Sequence, residues 1–90
     1  MLQLKIVSPE KVVFQGEVES VLVPGTLGSF EILKDHAPII SSLEVGKVEY
    51  TTREGKQAMN IKGGFVECNL TELFKAGEAS IKLRIHNSQY

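Results

Sequence analysis

The residues of this chain able to do chemistry are few, and most stand between positions 35 and 42. Asp35 and His36 are adjacent, with Ser41 and Ser42 close behind. These are the types that a hydroxyl nucleophile, its base and an orienting acid require. Their spacing argues against that use. Neighbouring side chains on an extended strand point to opposite faces, so an Asp-His dipeptide is poor geometry for one residue orienting the other. His36 reads instead as a turn histidine that bonds backbone or faces a partner. Two histidines and one cysteine offer no zinc-ligand spacing. Cys68 has no internal disulfide partner, and its neighbours Phe65 and Val66 predict a half-buried, inert thiol. Gly25-x-x-Gly28 and Gly63-Gly64 read as turns, because no Gly-Lys-Ser/Thr follows to make a phosphate loop. Asn69-Leu70-Thr71 matches a glycosylation sequon by chance. No catalytic residue, cofactor or metal is assigned.

Charge and composition narrow the partners. Apolar residues make up 42 % and charged residues 23 % of the 90, within the range of ordinary globular domains. A net charge of −1, with Lys and Arg scattered singly, excludes the basic face of a nucleic-acid binder. The amino terminus alternates polar and apolar residues, so neither a signal peptide nor a membrane span is expected, and a cytoplasmic setting follows.

The elements that must position these residues read as strands. Leu2, Leu4 and Ile6 alternate with Gln3 and Lys5, and Ser8-Pro9 ends that run. A second strand passes through Val12, Val13 and Phe14, with Gly16 marking a bulge or bend. From Glu17 the alternation sets Val18, Ser20 and Leu22 against Glu19, Val21 and Val23. Pro24-Gly25 fits the centre of a type II turn, and Gly28 offers a second hinge, so 24–28 is expected to form a rigid corner. Short strands follow at Ser29 to Leu33 and Ile39 to Leu43, then Lys47 to Thr52, a hairpin at Glu54-Gly55, Gln57 to Ile61, and Phe65 to Cys68. For the last residues two readings stand. Asn69 with Glu72 fits a helix cap, with Leu70, Leu73 and Phe74 on one face, Gly77 past the end and a strand over Ile81 to Ile85. The other makes Leu70 to Phe74 the last strand. The whole is expected to be one all-β domain over 1–90, an antiparallel β-sandwich or flattened barrel with at most a short helical turn near 70–76.

The order I-V-S-P-E-K-V-V-F-Q-G-E-V-E-S-V, then V-P-G-T-L-G-S-F-E-I-L-K-D-H-A-P-I-I, then G-K-V at 46–48 and G-G-F-V-E at 63–67 resembles the amino-terminal β-sandwich domain of the epsilon subunit of F-type ATP synthases. The likeness covers roughly Leu2 to Glu67. It implies a ten-stranded, two-sheet sandwich in the rotating central stalk, non-catalytic, binding the gamma subunit and the membrane c-ring. It would couple proton or sodium flow to ATP synthesis at the cytoplasmic face of the bacterial plasma membrane, touching the membrane only through the complex. By the same resemblance, Thr26, Leu27, Gly28, Ser29 and Glu31 would face the c-ring, and Ser8, His36, Ala37, Pro38 and Ser41 would face gamma.

The chain departs from the family's pattern in three places. Ser29 stands where an acidic residue is common, and Asp35 where glycine precedes the histidine. The stretch 69–90 lacks the usual V-T-V-L closing strand and has no room for the carboxy-terminal helical hairpin. From a different class, a free-standing sandwich that captures an extended peptide at a sheet edge is the alternative. An enzyme reading rests on Asp35-His36 alone.

Overall fold

The computed structural model describes residues 2–33, 37–71 and 78–85. Among these are nine strands and no helix: β1 (Leu2–Val7), β2 (Val12–Val18), β3 (Ser20–Gly25), β4 (Gly28–Ile32), β5 (Ile39–Leu43), β6 (Gly46–Thr52), β7 (Gly55–Ile61), β8 (Gly64–Thr71) and β9 (Glu78–Ile85). The all-β expectation holds.

The strands bond into one continuous sheet in the order β2-β1-β9-β8-β5-β3-β6-β7, with β4 on the other side of β3. The sheet curls so that β2, at one end, comes against β6. The rings of Phe14 on β2 and Tyr50 on β6 stand 4.5 Å apart at a 41° tilt. This gives the sandwich its two layers, β2-β1-β9-β8-β5 facing β4-β3-β6-β7. The layers join where β5 reaches β3 at the single pair Gly25 and Leu43. On that side β3 pairs with β6 through Ser20, Val21 and Leu22 before changing partner. Pro24 occupies the step. Its missing N–H leaves no ladder bond broken there, while its carbonyl accepts the Glu44 N–H at 2.8 Å.

Inward residues from every strand fill the core. Leu2, Leu4 and Ile6 of β1 meet Val66 and Cys68 of β8 and Ile81, Leu83 and Ile85 of β9. From the other layer come Val21, Val23, Ile32, Val48 and Ile61. No side chain among the described residues is both charged or polar and buried, so burial of apolar surface dominates the stability.

Four local expectations are corrected. The ladder is not wholly antiparallel, because β9 lies parallel to β1, from Leu2 opposite Ala79 to Val7 opposite Arg84. The bulge on β2 falls at Val13 and not Gly16: pairing steps from Ile6–Phe14 to Val7–Val12, while Gly16 stays in register with Leu4. The strand through Val18 and Leu22 is broken at Glu19, whose N–H donates to the Thr51 carbonyl at 2.7 Å. That break shifts the inward phase to Val21 and Val23 and leaves Leu22 half-buried. Cys68 is fully buried, 1 % exposed, and not half-buried, because on β8 it shares the core-facing side with Val66.

The chain end is also decided in part. Asn69, Leu70 and Thr71 continue β8, opposite Ser80, Ala79 and Glu78, so Asn69 caps no helix. The rest of that expected turn, Glu72 to Gly77, lies outside the described residues. The strand expected at Ile81 to Ile85 is present, within β9.

Leu83 is wholly buried on a strand flanked on both sides. Leu83→Ala is expected to cost about 2–5 kcal/mol in urea unfolding; a cost below ~1 kcal/mol would mean that β9 is not a core strand. Burial raises the pKa of the Cys68 thiol and of the Tyr50 phenol. Both groups are neutral when protonated. Below about pH 8 folded and unfolded chains alike keep these protons, and stability is independent of them. Above it the unfolded chain releases protons that the folded chain holds, so stability falls as pH rises. Urea midpoints at about pH 7 and about pH 10 should show that loss, and Cys68→Ala should reduce it.

Candidate docking site at the hairpin tip

The Pro24-Gly25 segment is not the turn that its residue types suggest. Both residues end β3, and the turn is the two-residue loop Thr26-Leu27 between the paired Gly25 and Gly28. Gly28 takes the positive φ of 125° that closes it. Gly25 serves a different need. A Cβ there would lie 2.7 Å from Cε1 of Phe30 and 2.9 Å from the Gly28 carbonyl oxygen. The Phe30 ring therefore lies close against the backbone of the turn and clamps it.

The tip stands clear of the sandwich. Leu27 is 102 % exposed, and Val45, on the β5–β6 turn that Pro24 braces, is 73 % exposed. Beneath the tip a depression of about 230 Å³ is lined by Thr26, Leu27, Gly28, Phe30, Ile39 and Ser41. Ser29 and Glu31 are exposed along β4, opposite Pro24 and Leu22.

The sequence-assigned residues fall into separate places. Ser41 shares the depression with Thr26, Leu27 and Gly28, and its Oγ–H donates to the Ser42 carbonyl at 3.2 Å. Ser8 is elsewhere, in the β1–β2 turn, where its N–H and hydroxyl both donate to the Lys11 carbonyl at 2.9 and 3.3 Å. Ala37 and Pro38 are exposed just before β5. Asp35 and His36 lie outside the described residues. Of the residues that the resemblance assigns, Thr26, Leu27, Gly28 and Ser41 thus gather at the tip, whereas Ser8 lies apart in the β1–β2 turn. Sequence reasoning missed Phe30, whose alternation marked it only as a strand residue.

Among the described residues no group of His, Cys, Asp or Glu is placed to hold a metal ion. No buried side-chain polar atom lacks a partner there. No helix among them is long and apolar enough to cross a membrane.

By fold and surface this is a stiff β-sandwich module that offers an exposed, clamped loop. The chain belongs to the family described as the β-sandwich domain of the ATP synthase delta/epsilon chain, which matches residues 1–73. The ATP synthase epsilon chain of Leptospira interrogans is 42 % identical over 66 residues, 73 % of this chain and 52 % of that one. That of Chlorobium limicola is 44 % identical over 66 residues, covering 72 % and 75 %. The chain thus spans about half the length of its Leptospira relatives. A chain in the mitochondrial ATP synthase of Euglena gracilis, in its OSCP/F1/c-ring assembly, superposes with a TM-score of 0.80 at 18 % identity, over 96 % of this chain and 51 % of that one. One in the central stalk/c-ring assembly of Tetrahymena thermophila gives 0.65 at 11 % identity. These two establish the shared fold.

If Phe30 clamps the tip, Gly25→Ala is expected to destabilise by about 1–3 kcal/mol through overpacking. Leu27→Ala, at a fully exposed position, should change stability by less than ~0.5 kcal/mol. Denaturation midpoints of the two variants measure this, and equal costs would remove the clamp.

Proposed function

We propose that the chain is a non-catalytic central-stalk subunit of an F-type ATP synthase, held between the gamma subunit and the membrane c-ring. The observation that carries this reading is the family match joined to a tip that is both exposed and clamped. A rotor element must pass torque without deforming, and a loop already fixed in shape loses little conformational entropy on docking. Thr26, Leu27 and Gly28, with Ser29 and Glu31 beside them, form the ring-facing end. Ser8, His36, Ala37, Pro38 and Ser41 are assigned to gamma. Ser41 lies so close to the tip that the gamma and ring contacts adjoin there. Proton or sodium flow through the ring would then reach the catalytic head through this wedge, at the cytoplasmic face of a bacterial plasma membrane. Attachment to the membrane is through the complex alone.

The free edge of β2 favours the second reading, a peptide-capturing adaptor. One experiment separates the two. His36→Glu is expected to weaken binding to the gamma subunit at least tenfold, about 1.4 kcal/mol, while the thermal midpoint stays within about 2 °C of the parent. Unchanged gamma affinity would refute the assignment of His36. Failure of the parent chain to bring down gamma and ring subunits from solubilised membranes would favour the adaptor.

A further inference from the structure

Among the described residues three strands keep a free edge, β2 and β7 at the ends of the ladder and β4 beside β3. An edge of unpaired N–H and C=O groups invites another strand, and proteins guard such edges with bulges, short strands or charge. β2 is interrupted by its bulge at Val13, and its Phe14 ring is set against Tyr50. β4 is short, five residues, and carries Glu31. β7 has none of these devices. It runs seven residues, Gly55–Ile61, without proline, in unbroken register with β6 from Gly55 opposite Thr52 to Ile61 opposite Gly46. Gly55 to Ala58 and Asn60 are exposed. Its one charged residue, Lys56, is engaged, 3.6 Å from Glu49 on β6.

The charges flanking β7 decide what fits it. Glu54 precedes the strand and Lys62 follows it, both exposed. The ion pairs among the described residues are Lys47 and Lys56 with Glu49, so Glu54 and Lys62 have no charged partner there. The turn that presents Glu54 is fixed. The Thr52 hydroxyl accepts the Glu54 N–H and donates to the Gly55 carbonyl, each at 3.1 Å. Two copies of β7 laid antiparallel about a twofold axis at Ala58 overlap along the whole strand. That register sets Gln57 opposite Met59 and Lys56 opposite Asn60, and just beyond each end it sets Glu54 opposite Lys62. No like charges meet. Moving the axis to Lys56 or to Met59 would set Lys56 against Lys56 or against Lys62, which opposes pairing. Met59 and Ile61 face the core and alternate with Lys56, Ala58 and Asn60, so the outer face of one copy continues into that of the other.

We propose that the free chain pairs with a second copy of itself through β7, in a closed twofold dimer centred on Ala58 and clasped at both ends by Glu54 and Lys62 of opposite copies. The dimer is a property of the chain outside any larger assembly and does not rest on the central-stalk reading. A strand of another protein is the other occupant that this edge could take, and it lacks the self-complementary charges that favour a second copy.

The test is sedimentation equilibrium of the full chain from about 5 µM to about 1 mM, a range suited to the small, weak interface that one strand pair makes. Monomer should pass to dimer and no further. Ala58→Lys sets two ammonium groups opposite each other at the axis and is expected to weaken the dimer at least about tenfold, as is Ala58→Glu. Mixed in equal amounts, these two variants should form a heterodimer at least as strong as the parent dimer. Lys62→Glu should weaken pairing about threefold or more, and adding Glu54→Lys to the same chain should restore it. Ser29→Lys, on the edge of β4, should stay within about twofold. Thermal melting checks each fold, and if Ala58→Lys does not fold, Lys62→Glu and its rescue decide the question. A parent that stays monomeric throughout the range overturns the proposal and leaves the edge to a strand of another protein. So does a dimer indifferent to the Ala58 and Lys62 variants, or an assembly that grows past two copies.

Discussion

The fold depends on how β9 enters the sheet. Ile81, Leu83 and Ile85 are buried between β1, which runs parallel to it, and β8, which runs antiparallel. Without that strand the backbone groups of β1 and β8 that face it would lose their partners, and the inner residues of both would lose a wall. Unpaired buried backbone groups cost about as much as a lost hydrogen bond each. The first and last parts of the chain therefore come to lie side by side at the centre of one layer. The match to the family's sequence profile ends at residue 73, before β9 begins. The structural likeness to the Euglena chain extends over 96 % of the sequence. Structure thus follows the shared fold further than sequence does.

The corner at Pro24 depends on this closure and turns it into an exposed end of the molecule. Because β3 must leave β6 and meet β5, a step in the ladder is required, and a residue without an N–H fills it at no cost in hydrogen bonds. The same step sets Gly25 against Phe30 and sends Thr26-Leu27 out past the sheet. Stiffness at the tip is a consequence of how the two layers are joined. Away from the tip, Ile40, Val12 and Phe65 are exposed on the opposite layer, and Leu33 is exposed just after β4.

Much of this was legible in the sequence. Period-two alternation located most of the strands, because a half-buried strand writes its two faces into alternate residues. The motifs carried the family. The chain end was harder to read: Asn69 with Glu72 has the form of a helix cap, yet pairing with Ser80 draws Asn69 into β8. Tertiary pairing overrode a local preference worth about 1 kcal/mol. Pro24-Gly25 misled in the same way, since its turn preference is local and the step between β6 and β5 is not. The gathering of Ser41 with the tip and the separation of Ser8 from it had no sequence signal at all.

By itself, then, the sequence determined that the protein is built of strands, which faces of most of them are apolar, and which family its motifs resemble. These are properties of neighbouring residues, and alternation or fixed spacing records them. Only the tertiary structure decided which strand lies beside which, that β9 runs parallel to β1, where the bulge at Val13 falls, and that Phe65 and Arg84 stack beside Ser8. A period of two tells a strand which face to bury. It leaves open the partner strand, which is settled by contacts between residues far apart in the chain.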